Sequence, residues 1–278
     1  MKKGVAIIIL IGVIISIVGA IILGIAISKD YFKANQLTVN NSYDLTEDFE
    51  DIDINISITN LEIKIANVDK CNVTCVEKEK QYHEVKVENK TLIINKIDKR
   101  KWYEKFFMFD IERMKIVITL PNKDYKNLNL KTSTGDTIIT DLILNNINLE
   151  ASTGNINLEN IKSADAYIEA STGDLNLKNI TSTNVELKTS TGNINFKDYI
   201  IENTLKASAS TGNITFEKID AKDINISTST GNISGSIITP KTFTTNTSTG
   251  DIKVPNTTGN PCKLSTSTGN IIITVINE

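Results

Sequence analysis

"KTSTGDTIIT", residues 131–140, reads as a tight turn followed by a short strand. Its core, Ser-Thr-Gly followed by Asp or Asn, occurs eight times. The glycines are Gly135, Gly154, Gly173, Gly192, Gly212, Gly231, Gly250 and Gly269, evenly spaced but for one extra residue between Gly192 and Gly212. A fixed period of this size marks stacked repeats, none of which can bury its own apolar face alone.

With the Ser as position 1, positions 5 and 7 are mostly apolar, as in Ile156 and Leu158, Leu175 and Leu177, or Ile194 and Phe196. So are positions 15 and 17, as in Ala166 and Ile168 or Val185 and Leu187. A spacing of two is the strand period, with the apolar face inward. Each repeat therefore holds two short strands, and its length leaves no room for a helix besides. The expected fold is all-β: a two-sheet parallel β-solenoid of about 19-residue coils over residues 133–278. The repeated motif is then a corner. Gly permits a positive φ, and Asp or Asn can bond its own turn backbone. In such a stack Glu159 neighbours Lys178, and Glu169 neighbours Lys188.

Other uses of the motif fit less well. A calcium roll needs several oxygen ligands per ion, yet position 4 is Asp only at Asp136, Asp174 and Asp251, which are not adjacent repeats. A Ser nucleophile lacks a partner, because the chain has one His, His83. An ice-binding Thr face would draw on the repeated Thr at position 2 together with Thr132, Thr189, Thr228, Thr247 and Thr266 just before the Ser, but these fall at a corner.

Upstream, the pattern is β but irregular. Ile52, Ile54, Ile56 and Ile58 alternate, as do Leu61, Ile63 and Ile65. Residues 51–132 are expected to form an N-terminal β cap of degenerate coils or a capping sheet, since open sheet ends need covering. In "KCNVTCV" Cys71, Val73 and Cys75 share one strand face, about 13 Å from end to end, which is too far for a disulfide. Cys262 falls at an apolar position. An aromatic insertion, residues 100–115, interrupts the cap. Trp102, Tyr103, Phe106, Phe107 and Phe109 are five of the chain's 16 aromatics. They suit a lid on the core, or an exposed patch that meets a partner.

Residues 28–50 read as a polar linker. Before them, residues 4–27 are 24 uncharged residues, about 36 Å long as a helix and so enough to span a bilayer. One transmembrane helix, an uncleaved signal anchor, is expected there; the rival reading is a cleaved signal peptide, with small-x-small sites at Gly24-Ile25-Ala26 and Ala26-Ile27-Ser28. Lys2 and Lys3 favour residues 1–3 in the cytoplasm and the bulk of the chain outside it. The expected location is thus a cell membrane, single-pass.

The acids and bases, 33 against 30, leave a net charge of -3, which speaks against a nucleic-acid partner. One His and three Cys leave little material for a multi-His metal site, so no metal, cofactor or catalytic residue is expected.

The stretch "LNLKTSTGD", with the eight corners, resembles the bacterial "putative adhesin" family of β-strand-repeat proteins, a domain of unknown function. The resemblance covers roughly residues 50–278. It implies a bacterial protein with an N-terminal membrane segment, in some members linked to envelope stress, and it brings no catalytic residues. The expected function is a non-enzymatic, membrane-anchored surface binder of an extracytoplasmic protein or glycan. The alternatives are an envelope scaffold or stress regulator and, by fold analogy alone, a glycan-active enzyme.

Overall fold

The computed structural model describes residues 2–28, 38–102 and 114–276. The elements among the described residues begin with a helix, α1 (Lys2–Ser28), followed by strands. Those before the first Gly corner are β1 (Thr38–Leu45), β2 (Asp51–Asn55), β3 (Thr59–Ala66), β4 (Cys71–Lys78), β5 (Gln81–Glu88), β6 (Thr91–Asp98), β7 (Met114–Pro121) and β8 (Tyr125–Thr134). The repeats supply β9 (Thr137–Thr140), β10 (Leu144–Thr153), β11 (Ile156–Thr172), β12 (Leu175–Thr191), β13 (Ile194–Thr211), β14 (Ile214–Asp220), β15 (Asp223–Thr230) and β16 (Ile233–Ile237). The last four are β17 (Lys241–Thr249), β18 (Ile252–Lys253), β19 (Asn260–Thr268) and β20 (Ile271–Val275).

Neighbouring repeats pair in parallel, offset by one period. Ile156 lies opposite Leu175, Leu158 opposite Leu177, and Ile168 opposite Leu187. Glu159 and Glu169 face Lys178 and Lys188, as the period implies. The alternating apolar residues point inward and make one continuous core from Phe49 to Ile273.

The two-sheet parallel β-solenoid does not form. Among the described residues all 20 strands belong to a single hydrogen-bonded sheet. Its ladders run β2–β6–β5–β4–β7–β3–β9–β11–β10–β8 and return to β2, which closes a ten-stranded barrel. β4 pairs antiparallel with β5 and β7, and β5 antiparallel with β6. The remaining strands lie outside the ring, β1 on β4 and β12 onward on β11. The period is a local signal and carries no information about this closure. From the 51–132 region, β2 and β3 pair in parallel with β8 and β9 as members of the ring.

The repeats are also stacked out of chain order. β19 and β20 lie between β15–β16 and β17–β18. The inward positions explain the exchange. Cys262, Leu264, Ile271 and Ile273 are buried, while β17 offers half-buried Phe243, Thr245 and Thr247 and β18 the exposed Ile252. The apolar repeat takes the covered slot, and the Thr-rich one forms the edge, where polar side chains are tolerated. Gly235 occupies an apolar position for a related reason: a Cβ there would lie 2.3 Å from the Phe216 ring.

Two N-terminal expectations change. β1 stands inside the segment read as a linker. The transmembrane helix expected over residues 4–27 is not borne out, because among the described residues no helix is long and apolar enough to cross a membrane.

Candidate binding surface

The eight corner glycines all have positive φ, from +134° to +150°. At Gly173 a Cβ would lie 2.0 Å from the Gly154 carbonyl oxygen. The corner is thus a close approach of backbones as well as a left-handed bend. The Gly173 amide in turn donates to Thr191 O at 2.9 Å, so the corner backbone is paired between repeats.

The Asp or Asn after each Gly acts differently from the expectation. Its Oδ1 accepts the backbone N–H of the same residue in the next repeat, and not one in its own turn. The ladder runs from Asp136 to Asn155 N, from Asn155 to Asp174 N and from Asp174 to Asn193 N, at 2.7–2.9 Å. It continues through Asn213 and Asn232 to Asn270 and Asp251. Asn60 begins it, accepting from Asp136 N at 3.0 Å. Asp and Asn are interchangeable here because only an oxygen is required.

A second corner was missed in the sequence. Asp141, Asn160, Asn179, Asp198 and Lys218 are left-handed, with φ of 52–60°. Asn160 and Asn179 donate to the preceding repeat at 2.7 Å. The signal was present as Asx at position 9 of the first four repeats, two residues after the inward position 7. Asn tolerates this backbone better than most residues.

Beside the Gly corners the Ser and Thr of the motif are exposed in nearly every repeat, from Ser152 and Thr153 to Ser267 and Thr268. They make a straight stripe of hydroxyls at the strand spacing of about 4.8 Å. The Thr just before the Ser is not part of it. Thr132, Thr189, Thr228 and Thr266 are buried, and three of them donate to Gly carbonyls, as Thr228 does to Gly212 O at 3.0 Å. The buried Thr are therefore unavailable to an ice-binding face.

Two shallow grooves flank the stripe. One is lined by Asn157, Asn176, Asn195, Lys178 and Lys197, the other by Asn146, Asp165, Tyr167, Asn184 and Lys206. Their amides form ladders, such as Asn195 to Asn176 at 2.9 Å and Asn184 to Asp165 at 2.8 Å. Lys178 pairs with Glu159 at 2.6 Å. Lys188 stands beside Glu169 as expected, while its amine binds Glu186 at 2.5 Å and covers the Tyr167 ring. The hydrogen bond to Glu217 holds the Lys197 amine above its ordinary pKa.

Trp102 is 78% exposed. The rest of the aromatic patch, Tyr103, Phe106, Phe107 and Phe109, lies outside the described residues. His83 is buried and sits with Glu77 and Cys75, a grouping that sequence reasoning did not assemble. All three Cys are free and buried.

The fold is similar to that of a "putative adhesin" from Bacteroides fragilis, with 19% identity, coverage of 87% of this chain and 99% of that one, and a TM-score of 0.51. Lower overlays are found with a "putative lipid binding protein" from Parabacteroides distasonis (16% identity, 86% and 98% coverage, TM-score 0.45) and a "putative adhesin" from Parabacteroides merdae (10%, 86% and 97%, 0.43). No curated protein matches. The Toastrack DUF4097 profile matches residues 49–203 and again 197–277. Between them the two matches take in nearly all the strands, and the chain belongs to the Toastrack DUF4097 family, a domain of unknown function.

Proposed function

We propose that this chain is a non-enzymatic, adhesin-like protein that binds an extracytoplasmic protein or glycan. The observation that carries the reading is the exposed Ser–Thr stripe. Its hydroxyls repeat once per strand, the neighbouring Thr and Asx groups are tied up in the scaffold, and periodic donors and acceptors on a rigid sheet suit a repeating partner such as a glycan. A catalytic role finds little support, because His83, the chain's one His, is buried away from the surface. Attachment at a membrane through residues 4–27 is part of the proposal. Ile8, Ile9, Leu10 and Ile15 of α1 are each at least 60% exposed, and a helix apolar all round needs lipid or protein around it.

Antibody labelling of the 38–278 region on intact cells, repeated after wall removal, tests the location. Labelling of intact cells is expected. Labelling only after wall removal would favour the envelope-scaffold reading. Binding to arrayed glycans and matrix proteins tests the surface: replacing Thr153, Thr172 and Thr191 by Val should weaken any hit at least tenfold with little change in Tm. Undiminished binding by that variant would remove the stripe from the account.

A further inference from the structure

β4 and β5 meet through a single paired position, Lys78 opposite Gln81, the thinnest joint in the ten-stranded ring. Three chemically distinct side chains converge beside it. Cys75 and Glu77, two apart on β4, point the same way, and His83 comes from β5 across the turn. Each is 1% exposed. One potential ligand atom from each lies within 4.8 Å of the other two.

A buried carboxylate is costly, and an apolar residue at 77 would avoid that cost. The hydrogen bonds suggest why these residue types stand here. Glu77 Oε1 lies 2.8 Å from His83 Nδ1 and accepts the His83 backbone N–H at 2.6 Å. Its other oxygen accepts from Asn41 Nδ2 at 2.7 Å, which fixes the plane of the carboxylate. The second ring nitrogen, Nε2, lies 3.4 Å from Thr59 Oγ1. A metal-binding His has this arrangement, with one nitrogen toward the other ligands and the opposite N–H held by an outer oxygen.

We propose that Cys75 Sγ, Glu77 Oε1 and His83 Nδ1 bind one divalent metal ion of borderline softness, with zinc the best fit to a sulfur, nitrogen and oxygen set. The ion fastens β4 to β5 and so closes the barrel where backbone pairing is weakest. Binding displaces the Cys75 thiol proton to solvent, requires the neutral His83 tautomer with its proton on Nε2 facing Thr59 Oγ1 and none on Nδ1, and forms the metal–thiolate bond, with no change of oxidation state. At bond lengths of about 2.0–2.3 Å, tetrahedral ligands stand roughly 3.3–3.5 Å apart. The His83–Glu77 contact therefore opens by about half an ångström when the ion enters.

The test uses the full chain in detergent, stripped with a chelator, given Zn2+ or Co2+ and passed through a desalting column. The proposal expects one retained ion per chain, a sulfur-to-cobalt charge-transfer band, and a Tm several degrees higher with metal, since a ligand of the folded state stabilises it. The band should persist in the Cys71→Ser/Cys262→Ser variant, whose sole thiol is Cys75, and vanish in Cys75→Ser. No retained ion, or a band that survives in Cys75→Ser, overturns it. Should a variant fail to fold, zinc-edge X-ray absorption of the unmodified chain decides. One sulfur neighbour supports the site, and a shell without sulfur overturns it.

Discussion

Single residues carry the corners. Gly173→Ala places a side chain at φ +145° and within 2.0 Å of a carbonyl oxygen, so a loss of about 3 kcal/mol or more is expected in chemical denaturation. Exposed Ser171→Ala, in the same corner, should stay within about 0.5 kcal/mol. Tyr199 presents the opposite case. It is fully buried, its hydroxyl has no hydrogen-bond partner among the described residues, and burial pushes its pKa up. Tyr199→Phe should raise stability by about 1 kcal/mol, because an unsatisfied buried hydroxyl costs that much or more. A clear loss would mean that the hydroxyl has a partner.

The thiols give a pH dependence. Burial pushes Cys71 and Cys262 up to about 12. Unfolded thiols ionise at about 8.5, so this contribution is complete below about pH 8.5 and is lost as pH rises toward about 12. Thermal melts from pH 8 to 11 should show falling Tm, and Cys262→Ala, though less stable at neutral pH, should show a shallower fall. At this scale the sequence was largely readable. The eight Gly positions and the inward residues stand where the period puts them. The Asx role was misread because a side-chain oxygen reaching its own turn and one reaching the next repeat leave the same letter in the chain.

Between elements, the stacking order is what the sequence concealed. Any corner ladder can join any two repeats, so the motif does not say which are neighbours. The Thr content of β17 was the available clue, and its meaning depends on knowing that one repeat must be an edge. Cross-linking separates the two orders. Asn225 and Lys263 are directly opposed on β15 and β19, within disulfide range. Asn225 and Thr244 are two strands apart, a separation of about 10 Å that a disulfide cannot bridge. Mild oxidation should therefore bridge the double Cys variant at 225 and 263 and leave the one at 225 and 244 reduced. Bridging of the second pair alone would restore chain order. β1 was hidden for a different reason. It is joined to β4 partly by polar side chains, with Asn72 donating to Asp44 at 2.7 Å and Asn41 to Glu77 at 2.7 Å. Hydropathy patterns do not register such contacts.

For the molecule as a whole, closure is the central claim. A repeat array and a ring share their local chemistry, and they differ only in whether the N-terminal strands complete a circuit with the first repeats. That circuit depends on pairings such as Ile52 with Leu128 and Leu61 with Thr137, which join distant parts of the chain and which no periodicity analysis reports. It also gives β2 a partner on both sides, β6 and β8. Native-state hydrogen exchange measures this directly. The ring predicts that the amides of β2 and β6 exchange as slowly as those of β11 and are exposed in the same cooperative opening. Fast, independent exchange of β4–β6 while β10–β13 stay protected would contradict closure.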